Sequence, residues 1–305
     1  MIAEIFALHL CFFATGIRSF GRWFWSSTSG TFLLVLLVLT APMAVQAADA
    51  KTVRIAVVNT PQFSGLMESL AADFSAKSGI HCEIYGGSDV YERARAGQAD
   101  LVISHYGKSE VERFVLDGYG TWPRMVFSNQ AVIAGPKNDP AKIAGLTSAS
   151  EALRRIADAR APFVANAIPG MQYIFDLVWQ QAGRPSKDGW LIATDESKGR
   201  AVKLAEEKQA YVMWGALPFL RFKEKHNSQL EILVSADPIL QRVMAAIVVK
   251  PEKVEGVNAQ GAEQFVSYLL EAETQAKIAA FRSPGSDLQL WWPAARNNAN
   301  KGHDE

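Results

Sequence analysis

Short apolar runs alternate along the chain with stretches of helical spacing, a pattern that predicts successive strand-loop-helix units. The first unit opens with Val53 to Val58, β-branched and apolar, as in a strand covered on both faces of a parallel sheet. Asn59 to Phe63 reads as a polar turn around Pro61. Ser64 or Gly65 then opens a helix with Leu66, Leu70 and Phe74 on its inner stripe, ended by Gly79. The second unit is the strand Ile80 to Tyr85, the loop Gly86-Gly87-Ser88-Asp89 and a helix up to Gly97. In the third, Asp100 to Ser104 leads through His105-Tyr106-Gly107 to a helix that buries Val111, Phe114 and Val115. Ser109 and Glu112 suggest a capping box at its start.

Arg124 to Gly135 is a long extended stretch closed by a Pro-flanked turn, Pro136 to Pro140, and predicts a crossing into a second lobe. That lobe repeats the pattern. A helix capped by Ser148 and Glu151 precedes the strand Phe163 to Asn166, the turn Ile168-Pro169-Gly170 and a helix facing inward with Ile174, Leu177 and Val178. Trp190 to Thr194 reads as a strand, Asp195 to Gly199 as its loop and Arg200 to Lys208 as the next helix. Tyr211 to Trp214 and Leu230 to Val234 read as further strands, and Val243 to Val249 as the strand returning to the first lobe before two C-terminal helices. The predicted class is α/β: two lobes, each a doubly wound and mostly parallel sheet, joined by two crossing strands. Residues 49–128 and 243–296 form the first lobe, 129–242 the second, and 297–305 a polar, disordered tail.

The N-terminus changes which residues count toward the fold. Arg18 and Arg22 precede the apolar run Thr31 to Ala41, and Ala44-Val45-Gln46-Ala47-Ala48 fits a small-residue cleavage site. Residues 1–48 are expected to be a signal peptide cleaved near Ala48; an uncleaved anchor is disfavoured by the shortness of the run and by Pro42. With no lipobox cysteine at that site, the mature protein is expected free in the periplasm. Net charge over all 305 residues is zero, and the removed segment carries two Arg and one Glu. A near-neutral mature chain gives no support to a nucleic-acid partner. Its single cysteine, Cys82, shares an alternating apolar face with Ile80 and Ile84, reads as a core thiol and permits no intrachain disulfide. Two exported lobes without disulfides point to a solute-binding protein.

One segment carries more specific information. Glu112-Arg113-Phe114-Val115-Leu116-Asp117-Gly118-Tyr119-Gly120 is followed by Ser128-Asn129-Gln130-Ala131-Val132-Ile133-Ala134-Gly135-Pro136-Lys137-Asn138-Asp139-Pro140. Over about forty residues this resembles the tungstate-binding proteins of bacterial ABC uptake systems. Weaker similarity runs through Phe63-Ser64-Gly65-Leu66, Lys198-Gly199-Arg200-Ala201 and Glu207-Lys208-Gln209-Ala210-Tyr211. The resemblance implies a two-lobed periplasmic binding protein that closes on an oxyanion and delivers it to a membrane permease, acting as a monomer. The family's ligand loop is rich in Thr and Ser where this chain has Val58, Asn59, Thr60 and Pro61. Its second-lobe Arg-Gly-Asp-x-Ser-Gly-Thr stretch falls on Val164 to Met171, which holds no Arg. These departures predict a weaker hold on a bare tungstate-type oxyanion and leave an organic or amine-bearing ligand open.

Ligand-binding candidates lie at predicted strand ends, where open α/β sheets hold ligands. In the first lobe they are Asn59, Thr60, Ser64, Gly65, Gly87, Ser88, His105 and Tyr106. The second lobe offers Asn166, Met171, Tyr173, Thr194, Asp195, Glu196, Met213 and Trp214. Each alone is more often a cap, turn or core residue. His105 has no second His or Cys at a metal-ligand spacing, so it reads as a hydrogen-bonding group and no metal or cofactor is expected. Asp195 and Glu196 either face the ligand, implying an amine or cation, or charge the first turn of the following helix. Trp291-Trp292-Pro293 reads as a packing anchor for the C-terminal segment. The chain lacks G-x-S-x-G, H-E-x-x-H and G-x-x-x-x-G-K-[ST], so an enzyme is not expected. A ligand sensor not coupled to transport would look the same in sequence.

Overall fold

The computed structural model describes residues 51–283 and 288–293. The expected signal peptide, its cleavage site and the tail from 297 lie outside them. The first lobe's units are β1 (Thr52–Val58), α1 (Asn59–Phe63), α2 (Leu66–Ser78), β2 (His81–Gly87), α3 (Val90–Arg95), β3 (Leu101–His105) and α4 (Ser109–Leu116). A long strand, β4 (Arg124–Gly135), leads to α5 (Ala149–Asp158), β5 (Phe163–Val164), α6 (Pro169–Gln181), β6 (Leu191–Ile192), α7 (Gly199–Glu207), β7 (Tyr211–Gly215), α8 (Ala216–His226) and β8 (Glu231–Val234). The chain returns through β9 (Gln241–Val248) to α9 (Ala259–Leu270), α10 (Ala272–Ala280) and the short β10 (Trp292–Pro293).

Strand order is β2-β1-β3-β9-β4-β7-β5-β6, with β8 and β10 also paired to β4. The β1, β2 and β3 ladders are parallel, as are those of β5, β6 and β7. β9 runs antiparallel to both β3 and β4. β4 changes partners midway: through Gln130 it pairs with β9, and from Ala131 it pairs with β7. One strand therefore belongs to both lobes, and the fold is the two-lobed α/β arrangement that the alternating pattern predicted.

Apolar stripes on the helices close each core. Leu66, Met67, Leu70 and Phe74 of α2 are buried with Phe265, Val266 and Leu269 of α9. The Phe74 and Phe265 rings meet edge-on, 5.0 Å apart, a geometry worth about 0.5–1.5 kcal/mol beyond the area it buries. In the second lobe, Leu153 and Ile156 of α5 pack with Ile174, Phe175 and Val178 of α6. Asp100 is fully buried and ties three elements together. It accepts from Arg54 N and Nη2 at 2.7 and 2.5 Å and from Asn258 N at 2.8 Å.

Several local expectations change. Asn59–Phe63 is a helical turn: Pro61 is its third residue, where the missing N–H has no helical partner to lose. The capping box at Ser109 does not form. Lys108 holds the extended N-cap position, Ser109 is already helical, and its Oγ turns to Glu110. The Ser148 cap does form, accepting from Glu151 N. The Phe163 and Trp190 strands shrink to two residues each, and β2 continues through Gly87, which pairs with Val58. Pro169 begins α6 in place of a turn, because its fixed φ suits the first helical position. β9 starts at Gln241, two residues ahead of the apolar run. Cys82 is a free thiol, half-buried, its pKa pushed up to about 11 by burial.

Candidate functional site

The crossing strands gather the groups that sequence left dispersed. In the β3-β9-β4 ladder His105 lies opposite Met244, and Arg242 lies opposite Asn129. Residues two apart on a strand share a face, so His105, Arg242 and Asn129 stand on one side of the sheet. Lys108, at the N-cap of α4, lies near enough to act on His105. From the other lobe, α6 brings its first turn against Arg242: a methyl group built on Gly170 would meet Nη2 at 2.6 Å and Nη1 at 2.8 Å.

The electrostatics have one sign. Desolvation alone pushes the Arg242 pKa down to about 10. Among the described residues no carboxylate pairs with it. Burial, Arg242 and Lys108 together hold His105 well below the ordinary histidine range, so its imidazole is neutral. The Asn129 side chain favours the protonated imidazole, without completing a hydrogen bond to its Oδ1. Lys108 is lowered by burial and by Arg242, against an opposing pull from Glu110. The positive end of the α6 dipole points the same way. Two cations and a helix start converge, with Glu110 acting on Lys108 and no carboxylate among the described residues paired to Arg242, a net positive field suited to an anion.

Two buried polar atoms add to this. Asn129 Oδ1 and Asn166 Nδ2 lack hydrogen-bond partners; each such group costs roughly 1–3 kcal/mol while unpaired. Asn166 is placed by its Oδ1, which accepts from Lys198 N at 3.0 Å. It also lines a cavity of about 220 Å³ with Met171, Phe175 and Met213. A larger cavity, about 480 Å³, lies elsewhere, between Phe219 of α8 and Trp292 of the C-terminal segment, and does not include the cations.

The remaining sequence candidates divide clearly. Ser64 is buried with its hydroxyl fully engaged: it donates to Pro61 O and accepts from Leu66 N and from Trp291 Nε1. Gly65 is the α2 N-cap at φ 81°, a conformation that suits glycine. Asn59 and Ser88 are exposed and Thr60 half-buried, while Gly87 ends β2. Tyr106 and Tyr173 are exposed, Tyr106 next in sequence to His105 and Tyr173 one turn from Gly170. Met171 and Met213 are core residues, and Trp214 packs edge-on against Phe222. Thr194 Oγ1 accepts from Glu196 N, Glu196 pairs with Arg200 and Asp195 is exposed. The anchoring expectation for Trp291 holds: it is fully buried and meets Phe127 edge-on. Sequence reasoning did not single out Arg242, Lys108 or Asn129, which the structure groups around His105. The available signal was a Gln-Arg pair directly ahead of the returning apolar strand. Among the described residues no helix is long and apolar enough to cross a membrane, and no group of acidic, His or Cys side chains could hold a metal ion.

Two lobes share a crossing strand, and a polar cluster dominated by cations stands where β9 meets the start of α6. The chain belongs to the bacterial extracellular solute-binding protein family, whose model matches residues 55–281. A tungstate-binding protein, TupA, of Peptoclostridium acidaminophilum is 25% identical over 276 residues, 86% of this chain and 96% of its own. Among solved structures, the tungstate-binding protein TupA of Desulfovibrio alaskensis has a TM-score of 0.69 at 27% identity, covering 80% of this chain and 99% of that one. The Geobacter sulfurreducens tungstate ABC transporter structure has a TM-score of 0.62 at 27% identity, with 76% and 99% covered.

Proposed function

We propose that this protein is the solute-binding component of an ABC uptake system and holds a tungstate-type oxyanion against Arg242, Lys108 and the start of α6. The observation that carries the reading is Arg242, desolvated, unpaired with any described carboxylate and pressed onto Gly170. Two unit charges 4 Å apart attract by about 4 kcal/mol at an effective dielectric near 20. An anion seated there would be stabilised by a guanidinium already positioned and half-buried. In this reading, β9 supplies the cation that the Val164 to Met171 stretch lacks. The names of the tungstate-binding relatives support the ligand class. The protein binds without turnover, as a monomer, in the periplasm after cleavage near Ala48, and passes its ligand to a membrane permease.

The test is calorimetry and thermal melting of the mature protein with tungstate, molybdate, sulfate and phosphate, and with a parallel set of organic acids and amines. A ligand at 100 times its Kd adds roughly 2.7 kcal/mol of stability. A shift with an inorganic oxyanion that disappears in Arg242→Gln supports the reading. A response confined to amines sinks it. Exposed Tyr106, next in sequence to His105, and Tyr173, one turn along α6 from Gly170, favour a second reading, an organic anion whose body rests on the rings; a response confined to organic acids selects it.

A further inference from the structure

His105 is the one titratable group of the cluster whose ordinary pKa lies near neutrality. It stands at the end of β3, on the same sheet face as Arg242 of β9 and Asn129 of β4. Arg242 and Lys108 are the charged groups that act on it. Glu110 acts on Lys108, and Gly170 brings no titratable side chain from α6. In the free protein the two cations and the loss of water keep the imidazole neutral. Neutral, it has one N–H, and its other ring nitrogen is an acceptor. With a single hydrogen it can serve a ligand oxygen or Asn129 Oδ1, not both, whereas the imidazolium serves both.

Resting on the oxyanion reading, we propose that His105 takes up a proton when the anion binds, becoming the third cation of the site and a donor to a ligand oxygen. The entering negative charge cancels the repulsion from Arg242 and Lys108. The Asn129 oxygen then accepts from the second N–H of the imidazolium, completing a hydrogen bond that the free protein leaves unmade. The proton comes from solvent; no other bond forms or breaks. Linkage then requires affinity to fall as pH rises, by at most tenfold per unit where the free site is neutral and the bound site protonated. The protein would therefore capture a fully ionised anion more tightly on the acidic side of neutrality and hold it less tightly in alkaline medium.

The experiment titrates sodium tungstate into the mature protein by calorimetry at about pH 7, in buffers of different ionisation enthalpy, and repeats the titration at about pH 8.5. The expected result is uptake approaching one proton per anion, with weaker binding at the higher pH. In His105→Gln, which keeps a hydrogen-bonding side chain, binding should be weaker than wild type at about pH 7, with no proton uptake and no pH dependence. Binding by the wild-type protein without buffer dependence overturns the proposal, as does uptake that survives in His105→Gln. If that variant does not fold, the wild-type buffer dependence, with the imidazole protons followed by NMR across the titration, decides alone. Absence of any tungstate, molybdate or sulfate binding is a different failure and removes the oxyanion reading itself.

Discussion

The guanidinium of Arg242, on the strand that returns to the first lobe, lies against Gly170, the second residue of a helix in the other lobe. A Cβ there would come within 2.6 Å of Nη2, so a larger residue must push the flexible end of Arg242 aside. Arg242→Gln should weaken oxyanion binding by about 100-fold or more, in line with the loss of a charge-assisted, desolvated contact of roughly 3 kcal/mol. The ligand-free variant should melt no lower than wild type, because a half-buried charge without a paired carboxylate among the described residues is removed. Gly170→Ala should weaken binding by displacing the guanidinium, with little change in ligand-free stability. Calorimetry and ligand-free melting read both effects separately.

Stability of the ligand-free protein should depend on pH through His105. Its pKa in the fold lies well below the ordinary value near 6.5. In that interval the unfolded chain binds the proton and the native protein does not. The contribution is therefore fully present above about pH 7 and is lost as pH falls through 6.5 toward the folded-state value. Melting temperature without ligand should drop over this range in wild type and drop less in His105→Gln. A saturating oxyanion should flatten the wild-type curve.

Ser64 separates structure from recognition. Resemblance places it beside the ligand loop, yet its hydroxyl holds Pro61, Leu66 and the indole of Trp291, which links the C-terminal segment to the start of α2. Ser64→Ala leaves a buried indole N–H unpaired and should cost roughly 1–3 kcal/mol of stability. Oxyanion affinity should stay within about twofold of wild type. Urea denaturation measures the first and calorimetry the second.

The legible part of this molecule was the part governed by period and punctuation. Val53 to Val58, the α2 stripe and the Ser148 cap follow from side-chain spacing and local hydrogen bonding, and each stands where those rules put it. The site was less legible because it depends on register between strands far apart in sequence. Asn129 and Arg242 are paired across more than a hundred residues, and the partner switch at Gln130 and Ala131 sets which of their faces meets α6. A lone Arg before an apolar strand gives no sign of lacking a carboxylate. Only the packed structure shows that β9 delivers it, unaccompanied, to a helix start. For Asp195 and Glu196 the alternative was a local role at the start of the next helix. Glu196 has a local partner four residues on, Arg200, which one helical turn was bound to supply.

Asp100 should be among the least replaceable polar residues of the first lobe. It is fully buried and holds the Arg54 backbone and guanidinium together with the N-cap of α9. Asp100→Asn keeps the shape but removes the charge opposite a guanidinium that is three-quarters enclosed. Breaking such a pair from one side should cost about 3–5 kcal/mol. Asp100→Asn with Arg54→Met should recover much of that loss, because the stranded charge goes too. Urea melts of the two variants test the difference, which a purely steric role for Asp100 would not produce.

Phe63 and Arg221 bridge the lobes at the surface. The Arg221 guanidinium sits 5.3 Å from the centre of the Phe63 ring, joining α1 of one lobe to α8 of the other. The ring is 53% exposed, so the contact belongs to the weak end of cation–π interactions, about 0.5–1 kcal/mol. It exists only while α1 and α8 stay this close. Arg221→Ala should therefore leave ligand-free unfolding almost unchanged and weaken ligand binding by roughly two- to fivefold, with the loss in dissociation rate. Phe63→Leu should match it, since an aliphatic side chain keeps the packing and loses the ring face. The double variant should be no weaker than either single one. Stopped-flow release of tungstate from the three variants, read against wild type, distinguishes a latch between lobes from two unrelated surface residues: additive effects in the double variant would rule the latch out.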